Sequence, residues 1–379
     1  MRAVNKGTVK KIVFLSGAAN LREGGEFSLL DVLKKIRQDY CLLCVCKQKG
    51  ELPRALNDLK IPVLFCNTRW SGKLRYSFIQ YWRLLKLYLR LRAWGPDLIY
   101  ANSGRINPFA ARLAKILRIP LITHIRDLFD PTLKDKFLLS KSSKIIVCSQ
   151  AVASLAKRFN QDVEVIYNGV DPQKFSPRLK SFSNTLKNNL NLNGCFVVGN
   201  VGTIAYRKGY FEFVEVASRL TEAIERIKFM IIGEPLPDKK HILTELNKKI
   251  DEYGLREKFV FPGFVKDSAR AIASLDVLLF PPRYEAFGRV IIEAFACGVP
   301  VVSTYSGGPE EIIQNQQDGF LLKNSDIQGM AEAISKLYHS KQLYQKISEN
   351  GYRKFIARFT SDQAAERIKA AIQAALKRG

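Results

Sequence analysis

The 379-residue chain lacks the long apolar segments of a membrane-spanning protein. No run approaches the roughly 20 apolar residues that cross a bilayer. The first apolar run, residues 12–15, is too short for the core of a signal peptide and reads as a first strand. We therefore expect a cytoplasmic protein that is soluble or bound peripherally to the inner face of a membrane.

Metal-binding patterns are also scarce in this sequence. The chain has 3 histidines, and its 7 cysteines lie mostly in apolar, strand-like runs. This is how buried free thiols behave in a reducing compartment. Cys44 and Cys46 are separated by a single residue, which is too short a spacing for the usual zinc knuckle. These features favour a protein without a structural metal.

Basic residues, in contrast, are in large excess. The chain has 60 Lys and Arg against 35 Asp and Glu, a net charge of +25. Such a surface attracts polyanions, either nucleic acid or an anionic membrane. The sequence contains no helix-turn-helix, zinc or RNA-binding signature, which disfavours nucleic acid as the partner.

The basic excess is most conspicuous in residues 69–94, which combine Lys, Arg, Trp and Tyr with no acidic residue. On a helix, Arg83, Lys86 and Arg90 share one face, and Trp82 lies on another face with two leucines. A basic amphipathic helix with aromatic residues at its margin fits the headgroup layer of a membrane. The alternative is that the apolar face packs on a sheet and the basic face is solvated.

Apolar, strand-like runs alternate with helical periodicity through most of the chain, which predicts an α/β protein with parallel doubly wound sheets. A polar, basic segment with little periodicity interrupts the pattern once. We therefore predict two Rossmann-like domains facing a cleft, residues 1–172 and 195–359, with a linker and lead-in at 173–194. The final segment, 360–379, is predicted to be a helix that crosses back to the first domain.

The most informative stretch is residues 280–311, FPPRYEAFGRVIIEAFACGVPVVSTYSGGPEE. It reads as strand, loop and helix twice over, with glycine and a carboxylate at each helix entrance. Backbone N–H groups at a helix start hold anions, and carboxylates accept hydrogen bonds from hydroxyl groups. The stretch therefore suits a bound sugar phosphate.

This stretch belongs to an ordered series that resembles the retaining, nucleotide-sugar-dependent glycosyltransferases of the GT-B superfamily, specifically family four. The most specific feature of this resemblance is the pair Glu285 and Glu293, with seven residues between them. The first domain matches more loosely, through Gly24-Gly25, His124 and Val147-Cys148-Ser149. The resemblance is strongest from Tyr167 to Gly319, where the other matching pieces are Tyr167-Asn168-Gly169-Val170-Asp171, Val201-Gly202, Arg207-Lys208-Gly209, Ile231-Ile232-Gly233, Pro262-Gly263-Phe264 and Asp318-Gly319.

The resemblance implies how the leaving diphosphate is stabilised. Lys208, with Arg207, and the backbone N–H groups after Glu285 would carry this role. Many transferases use a divalent metal held by an Asp-x-Asp pair, and this chain has no such pair, so we predict no metal and no other cofactor. The helix-entrance residues that supply the N–H groups are Phe287, Gly288, Arg289 and Val290.

Further roles follow from the same resemblance. Glu293 matches the residue that accepts the ribose hydroxyls, and Glu285 matches the residue that contacts the donor sugar. His124 would contact the sugar from the first domain. Gly24 and Gly25 would let the acceptor and the diphosphate approach the backbone.

The chain departs from the family pattern at two places. Glu26-Phe27 stands where Ala-Glu is common after the glycine pair, and Thr203 stands where arginine is usual. The second change removes one phosphate contact of the family, and we expect Arg207 to replace it.

The resemblance, with the absence of an Asp-x-Asp pair, implies a metal-independent, retaining glycosyltransferase that uses a UDP- or GDP-sugar. Its acceptor would be a glycan or a lipid-linked molecule at the membrane surface, as in polysaccharide or lipopolysaccharide synthesis. We expect a same-face displacement in which the leaving diphosphate takes the acceptor's proton. The alternatives are another GT-B enzyme, such as a nucleotide-sugar epimerase, a catalytically silent subunit, or a basic nucleic-acid-binding protein.

Overall fold

The computed structural model describes residues 9–21, 24–70, 77–128 and 138–378. The chain forms two compact units. Unit 1 comprises Met1–Asn168 with Ser361–Gly379, and unit 2 comprises Gly169–Thr360. The division thus comes at residue 168 rather than at the predicted 172. The predicted linker, 173–194, is part of unit 2 rather than a segment between two domains.

Unit 1 is built on a parallel sheet that has seven strands over the described residues, in the order β3-β2-β1-β4-β5-β6-β7. The strands are β1 (Lys11–Leu15), β2 (Cys41–Cys46), β3 (Val63–Phe65), β4 (Leu98–Ala101), β5 (Leu121–Ile125), β6 (Lys144–Val147) and β7 (Val163–Val165). The helices are α1 (Gly24–Ile36), α2 (Glu51–Asp58), α3 (Ser77–Trp94), α4 (Asn107–Leu117), α5 (Gln150–Ala156) and α14 (Ser361–Arg378).

Both faces of this sheet are covered, which explains why its strands are nearly continuous apolar runs. Val13 and Ile99 pack with α3 and α4 on one face. Phe14 and Tyr100 pack with α1 and α14 on the other. The C-terminal helix therefore lies on unit 1, as predicted.

Unit 2 holds a second parallel sheet, six-stranded over the described residues, in the order β10-β9-β8-β11-β12-β13. The strands are β8 (Phe196–Val201), β9 (Ile227–Ile232), β10 (Phe259–Gly263), β11 (Val277–Phe280), β12 (Val301–Thr304) and β13 (Phe320–Leu322). The helices are α6 (Ser183–Asn189), α7 (Tyr210–Ala223), α8 (His241–Glu252), α9 (Ser268–Ala273), α10 (Arg289–Ala296), α11 (Gly308–Ile312), α12 (Ile327–His339) and α13 (Lys341–Arg358).

The strand order reverses once in each sheet, between β1 and β4 in unit 1 and between β8 and β11 in unit 2. In open parallel sheets, ligands bind beyond the carboxyl ends of the strands at this point. In unit 2, the loops that follow β8 and β11 are residues 202–209 and 281–288. The predicted donor residues of unit 2 lie in these loops or in the helix that follows the second one.

Helix α3 is apolar on two opposite sides. Leu84, Leu87 and Leu91 are buried against unit 1. The opposite side exposes four large apolar residues, which we call the α3 stripe: Phe78, Trp82, Leu85 and Leu89, with exposed fractions of 82%, 50%, 47% and 55%.

The alternative in which the Trp82 face of α3 packs on the sheet is therefore wrong, because a different leucine face packs there. Lys73, Arg75 and Tyr76 of the basic stretch lie outside the described residues. Within the described part of the chain, no helix is both long enough and apolar enough to cross a membrane.

Candidate functional site

The loops that follow β8 and β11 are joined backbone to backbone. The Arg283 N–H donates to the Arg207 carbonyl at 2.9 Å. Gly209 has a φ of 73°, and a Cβ atom there would lie 1.8 Å from the Pro281 carbonyl oxygen. Only glycine permits both this conformation and this approach. The contact fixes the position of Lys208 relative to the second loop.

The loop after β12 is joined to the same structure. The Glu285 N–H donates to the Ser306 carbonyl at 2.8 Å, and the Gly308 N–H donates to the Glu285 carbonyl at 2.9 Å. A Cβ atom at Gly308 would lie 2.3 Å from the Cα atom of Phe287. The Gly307 N–H, just before α11, donates to Glu310 Oε1 at 3.0 Å, so Glu310 caps its own helix.

Glu285 is the centre of a charged cluster in unit 2. Its Oε2 atom lies 2.5 Å from Lys208 Nζ and 3.3 Å from Arg207 Nη1. Burial raises the pKa of the Glu285 carboxyl, but Lys208, Arg207 and the donating Phe287 N–H outweigh it and lower that pKa below its ordinary value. Glu285 is therefore ionised at neutral pH. The structure brings together three residues that were assigned to the sugar donor: Lys208, Arg207 and Glu285. Of the four backbone N–H groups predicted to bind the diphosphate, that of Phe287 donates to Glu285 itself.

The other three predicted N–H donors surround the start of α10. Gly288 is the N-cap residue with a φ of 93°, and Arg289 and Val290 are the first two residues of the helix. N–H groups at a helix start point along the helix axis, where the dipole favours an anion. Among the described residues, no three His, Cys, Asp or Glu side chains form a group that could hold a metal ion.

Glu293 lies on the second turn of α10 and is paired with a side chain that sequence reasoning missed. Arg289 Nε donates to Glu293 Oε1 at 2.8 Å, and the two side chains are only 10% and 13% exposed. Arg289 was singled out for its backbone N–H alone. The signal for its side chain was available, because residues four apart on a helix face each other.

The predicted residues of unit 1 lie at the carboxyl edge of the other sheet. His124, in β5, is 1% exposed, and its Nδ1 lies 2.6 Å from Tyr100 Oη. Its Nε2 is buried and has no hydrogen-bond partner among the described residues. Burial, and to a smaller extent the positive charge of Arg126, holds the pKa of His124 well below its ordinary value. The ring is therefore neutral at physiological pH. Contact with a sugar remains a prediction.

Next to His124, Arg126 forms a network that the sequence did not indicate. Its Nε donates to Asn102 Oδ1 at 3.1 Å, and its Nη1 donates to Ser28 Oγ at 2.9 Å and to Asn168 Oδ1. Both predicted glycines, Gly24 and Gly25, are the first residues of α1. A Cβ atom at Gly25 would lie 3.3 Å from Arg126 Cδ. The network thus ties α1, through Ser28, to Asn168, the last residue of the first segment of unit 1.

Two protein families match this chain, one over most of each unit. "Glycosyltransferase Family 4" matches residues 24–174, and "Glycosyl transferases group 1" matches residues 182–354. The UDP-Gal:alpha-D-GlcNAc-diphosphoundecaprenol alpha-1,3-galactosyltransferase of Escherichia coli is 24% identical over 374 residues, which cover 91% of this chain and 90% of that protein. The capsular polysaccharide biosynthesis glycosyltransferase CapM of Staphylococcus aureus is 28% identical over 215 residues, which are 55% of this chain and 54% of CapM.

A solved structure agrees with these matches. HepE of Anabaena, in complex with UDP and glucose, is similar with a TM-score of 0.84 and 25% identity, covering 96% of this chain and 99% of HepE. Its fold of two parallel-sheet domains is the one described above. Because both family descriptions, a relative matched over nine tenths of its length and this structure agree, the chain belongs to glycosyltransferase family 4 and is a glycosyltransferase with the GT-B fold.

Proposed function

We propose that this glycosyltransferase transfers a sugar from a nucleotide-sugar donor to a glycan or lipid-linked acceptor, with retention at the anomeric carbon and without a metal. The main support for this proposal is the cluster of Lys208, Arg207 and Glu285 beside the start of α10. It supplies two cations and backbone N–H groups for a diphosphate and one ionised carboxylate for the sugar. HepE was solved with UDP-glucose, and the E. coli relative acts on a diphosphoundecaprenol acceptor.

The proposed chemistry follows from the charges in unit 2. When the donor bond breaks, negative charge develops on the diphosphate, and donors already fixed in position stabilise it. The sugar becomes oxocarbenium-like, and the Glu285 carboxylate stabilises that positive charge. Glu285 is engaged by Lys208, Arg207 and the Phe287 N–H, so we assign it to charge stabilisation rather than to covalent attack. The acceptor oxygen bonds to the anomeric carbon on the face from which the diphosphate departs, and the departing diphosphate takes the proton of that hydroxyl.

A donor panel in the presence of EDTA tests this proposal. We expect one nucleotide class among UDP-, GDP- and ADP-sugars to bind and to be hydrolysed slowly when acceptor is absent. Proton NMR before mutarotation should show that the first sugar released from an α-linked donor is the α anomer. Release of the β anomer would exclude retention, and loss of activity in EDTA would exclude a metal-independent reaction. Failure of all three donor classes to bind would contradict the proposed substrate.

We also propose that unit 1 acts at an anionic membrane surface through α3. The α3 stripe carries four exposed apolar side chains where a solvated helix face would carry polar ones. Lys86 Nζ lies 4.9 Å from the Trp82 ring centroid, and Arg83 and Arg90 continue the basic edge. Apolar side chains flanked by cations match the acyl and headgroup layers of an anionic bilayer.

Charge reversal on α3 is expected to release the protein from vesicles. Arg83, Lys86 and Arg90 each contribute about 1 kcal/mol near an anionic surface, so changing all three to Glu should weaken binding by at least about 100-fold. Co-sedimentation with vesicles of anionic and of neutral lipid measures this. The matched control, Lys336, Lys341 and Lys346→Glu, makes the same charge change on exposed lysines of unit 2. Equal binding of wild type and the α3 variant would remove membrane contact through α3.

A further inference from the structure

We propose that the side chain of Arg289 is a positioning residue that holds Glu293 ready for the donor ribose. This inference rests on the proposed function, because it concerns the nucleotide of the same site. Arg289 Nε lies 2.8 Å from Glu293 Oε1, and both side chains are almost entirely buried. A buried carboxylate requires a partner, and Arg289 supplies one from within the same helix.

Helix stability alone does not explain this pair. Arg289 is the first residue of α10, where the positive end of the helix dipole disfavours a cation. The pair also runs from Arg to Glu along the chain, which is the less favourable order for residues four apart. A pair that is unfavourable by both criteria, and that removes two charged groups from water, points to a role outside helix stability.

The geometry indicates what that role is. A guanidinium is a rigid planar donor, so its bond to Oε1 fixes the orientation of the Glu293 carboxylate and does not use Oε2. Each carboxylate oxygen has two acceptor sites, so the fixed carboxylate can still accept from hydroxyl groups. A side chain that is ordered before the ligand arrives loses less rotamer freedom on binding. Arg289 therefore acts on the nucleotide through Glu293 and needs no contact with it.

This role predicts an effect on ribose recognition in particular. A hydrogen bond from a hydroxyl to a charged group contributes about 10- to 100-fold to affinity. If Arg289 fixes Glu293, its loss should weaken the binding of a ribonucleotide clearly more than that of the matching 2′-deoxyribonucleotide, which offers Glu293 only its 3′-hydroxyl. A general disturbance of α10 would instead weaken both by the same factor. The ratio of the two dissociation constants separates these cases.

The experiment uses whichever of UDP, GDP and ADP the wild type binds most tightly, together with its 2′-deoxy analogue, by calorimetry on the full chain. We expect the wild type to prefer the ribonucleotide by about 10- to 100-fold. Arg289→Leu should reduce that preference to about 2-fold or less, and Arg289→Lys should give an intermediate value because a single ammonium lacks the planar fork.

Arg353→Leu is the matched control. It breaks the exposed Arg353–Glu349 pair on α13 of the same unit, also four residues apart, and should leave the ratio at the wild-type value. An Arg289→Leu protein that keeps the wild-type ratio would overturn the inference, and so would a wild type without any ribose preference. If the wild type binds none of the three diphosphates, the proposed function itself fails.

Discussion

Replacing Glu285 by Gln is expected to lower turnover by about 10²- to 10³-fold, the range found when one preorganised electrostatic group is removed. The nucleoside diphosphate should bind as tightly as before, or more tightly. Lys208 Nζ is bound to Glu285 at 2.5 Å, so under the proposed function the carboxylate competes with the diphosphate for the same cation. The neutral amide ends this competition and also removes the negative charge next to the reacting sugar.

The measurement is turnover together with calorimetric binding of the free diphosphate. Glu293→Ala is the informative counterpart, because it should weaken diphosphate binding through loss of the proposed ribose contact. Removing one partner of a buried ion pair costs about 3–5 kcal/mol in general, so thermal unfolding of each variant is needed to show that the protein is folded. The opposite pattern, with binding lost in Glu285→Gln and spared in Glu293→Ala, would mean that the two assignments are exchanged.

The second large effect is expected from Gly209→Ala. The added Cβ atom would lie 1.8 Å from the Pro281 carbonyl oxygen, in a backbone with a φ of 73°. Backbone strain and overpacking together are expected to destabilise unit 2 by about 2–5 kcal/mol. The loops must separate to accommodate the methyl group, which moves Lys208 away from the β11 loop, so diphosphate binding should fall as well.

Gly254→Ala is the control for this variant. Gly254 has a similar φ of 66°, but a Cβ atom there would meet nothing within 4 Å. Its loss of stability, measured by urea unfolding, therefore reports the cost of the left-handed conformation alone. The difference between the two variants measures the loop contact, and equal values would show that the close approach of the loops contributes nothing.

The order of apolar and polar residues along the chain was sufficient to predict the two parallel sheets. Alternating strands and helices predicted two doubly wound sheets, and glycine and carboxylate at the helix entrances predicted the loop that carries Glu285. Lys208 was assigned from the family resemblance alone. The boundary between the units was harder to predict from sequence. Asn168 belongs to unit 1 because it is hydrogen-bonded to Arg126 and Ser28, which lie 42 and 140 residues away in the chain. Such contacts leave no periodic signal.

Two other features were missed for different physical reasons. Helix α3 carries leucines on two sides, so periodicity alone does not decide which side packs on the sheet. The region 173–194 looks like a linker because it is polar, yet Leu192 within it is fully buried in unit 2. In both cases tertiary packing decides between local alternatives that are nearly equal in sequence.

The glycine contacts have a consequence for engineering. Gly209 and Gly308 set the loop positions through backbone atoms, so the positions do not depend on the side chains that the loops present. Tyr284 and Tyr305, on these loops, are 55% and 44% exposed. Each tyrosine directly precedes one partner of the Glu285–Ser306 backbone hydrogen bond. Libraries at these two positions can therefore change the exposed surface of the loops while the loops keep their geometry, which makes them the first positions at which to seek a different sugar preference.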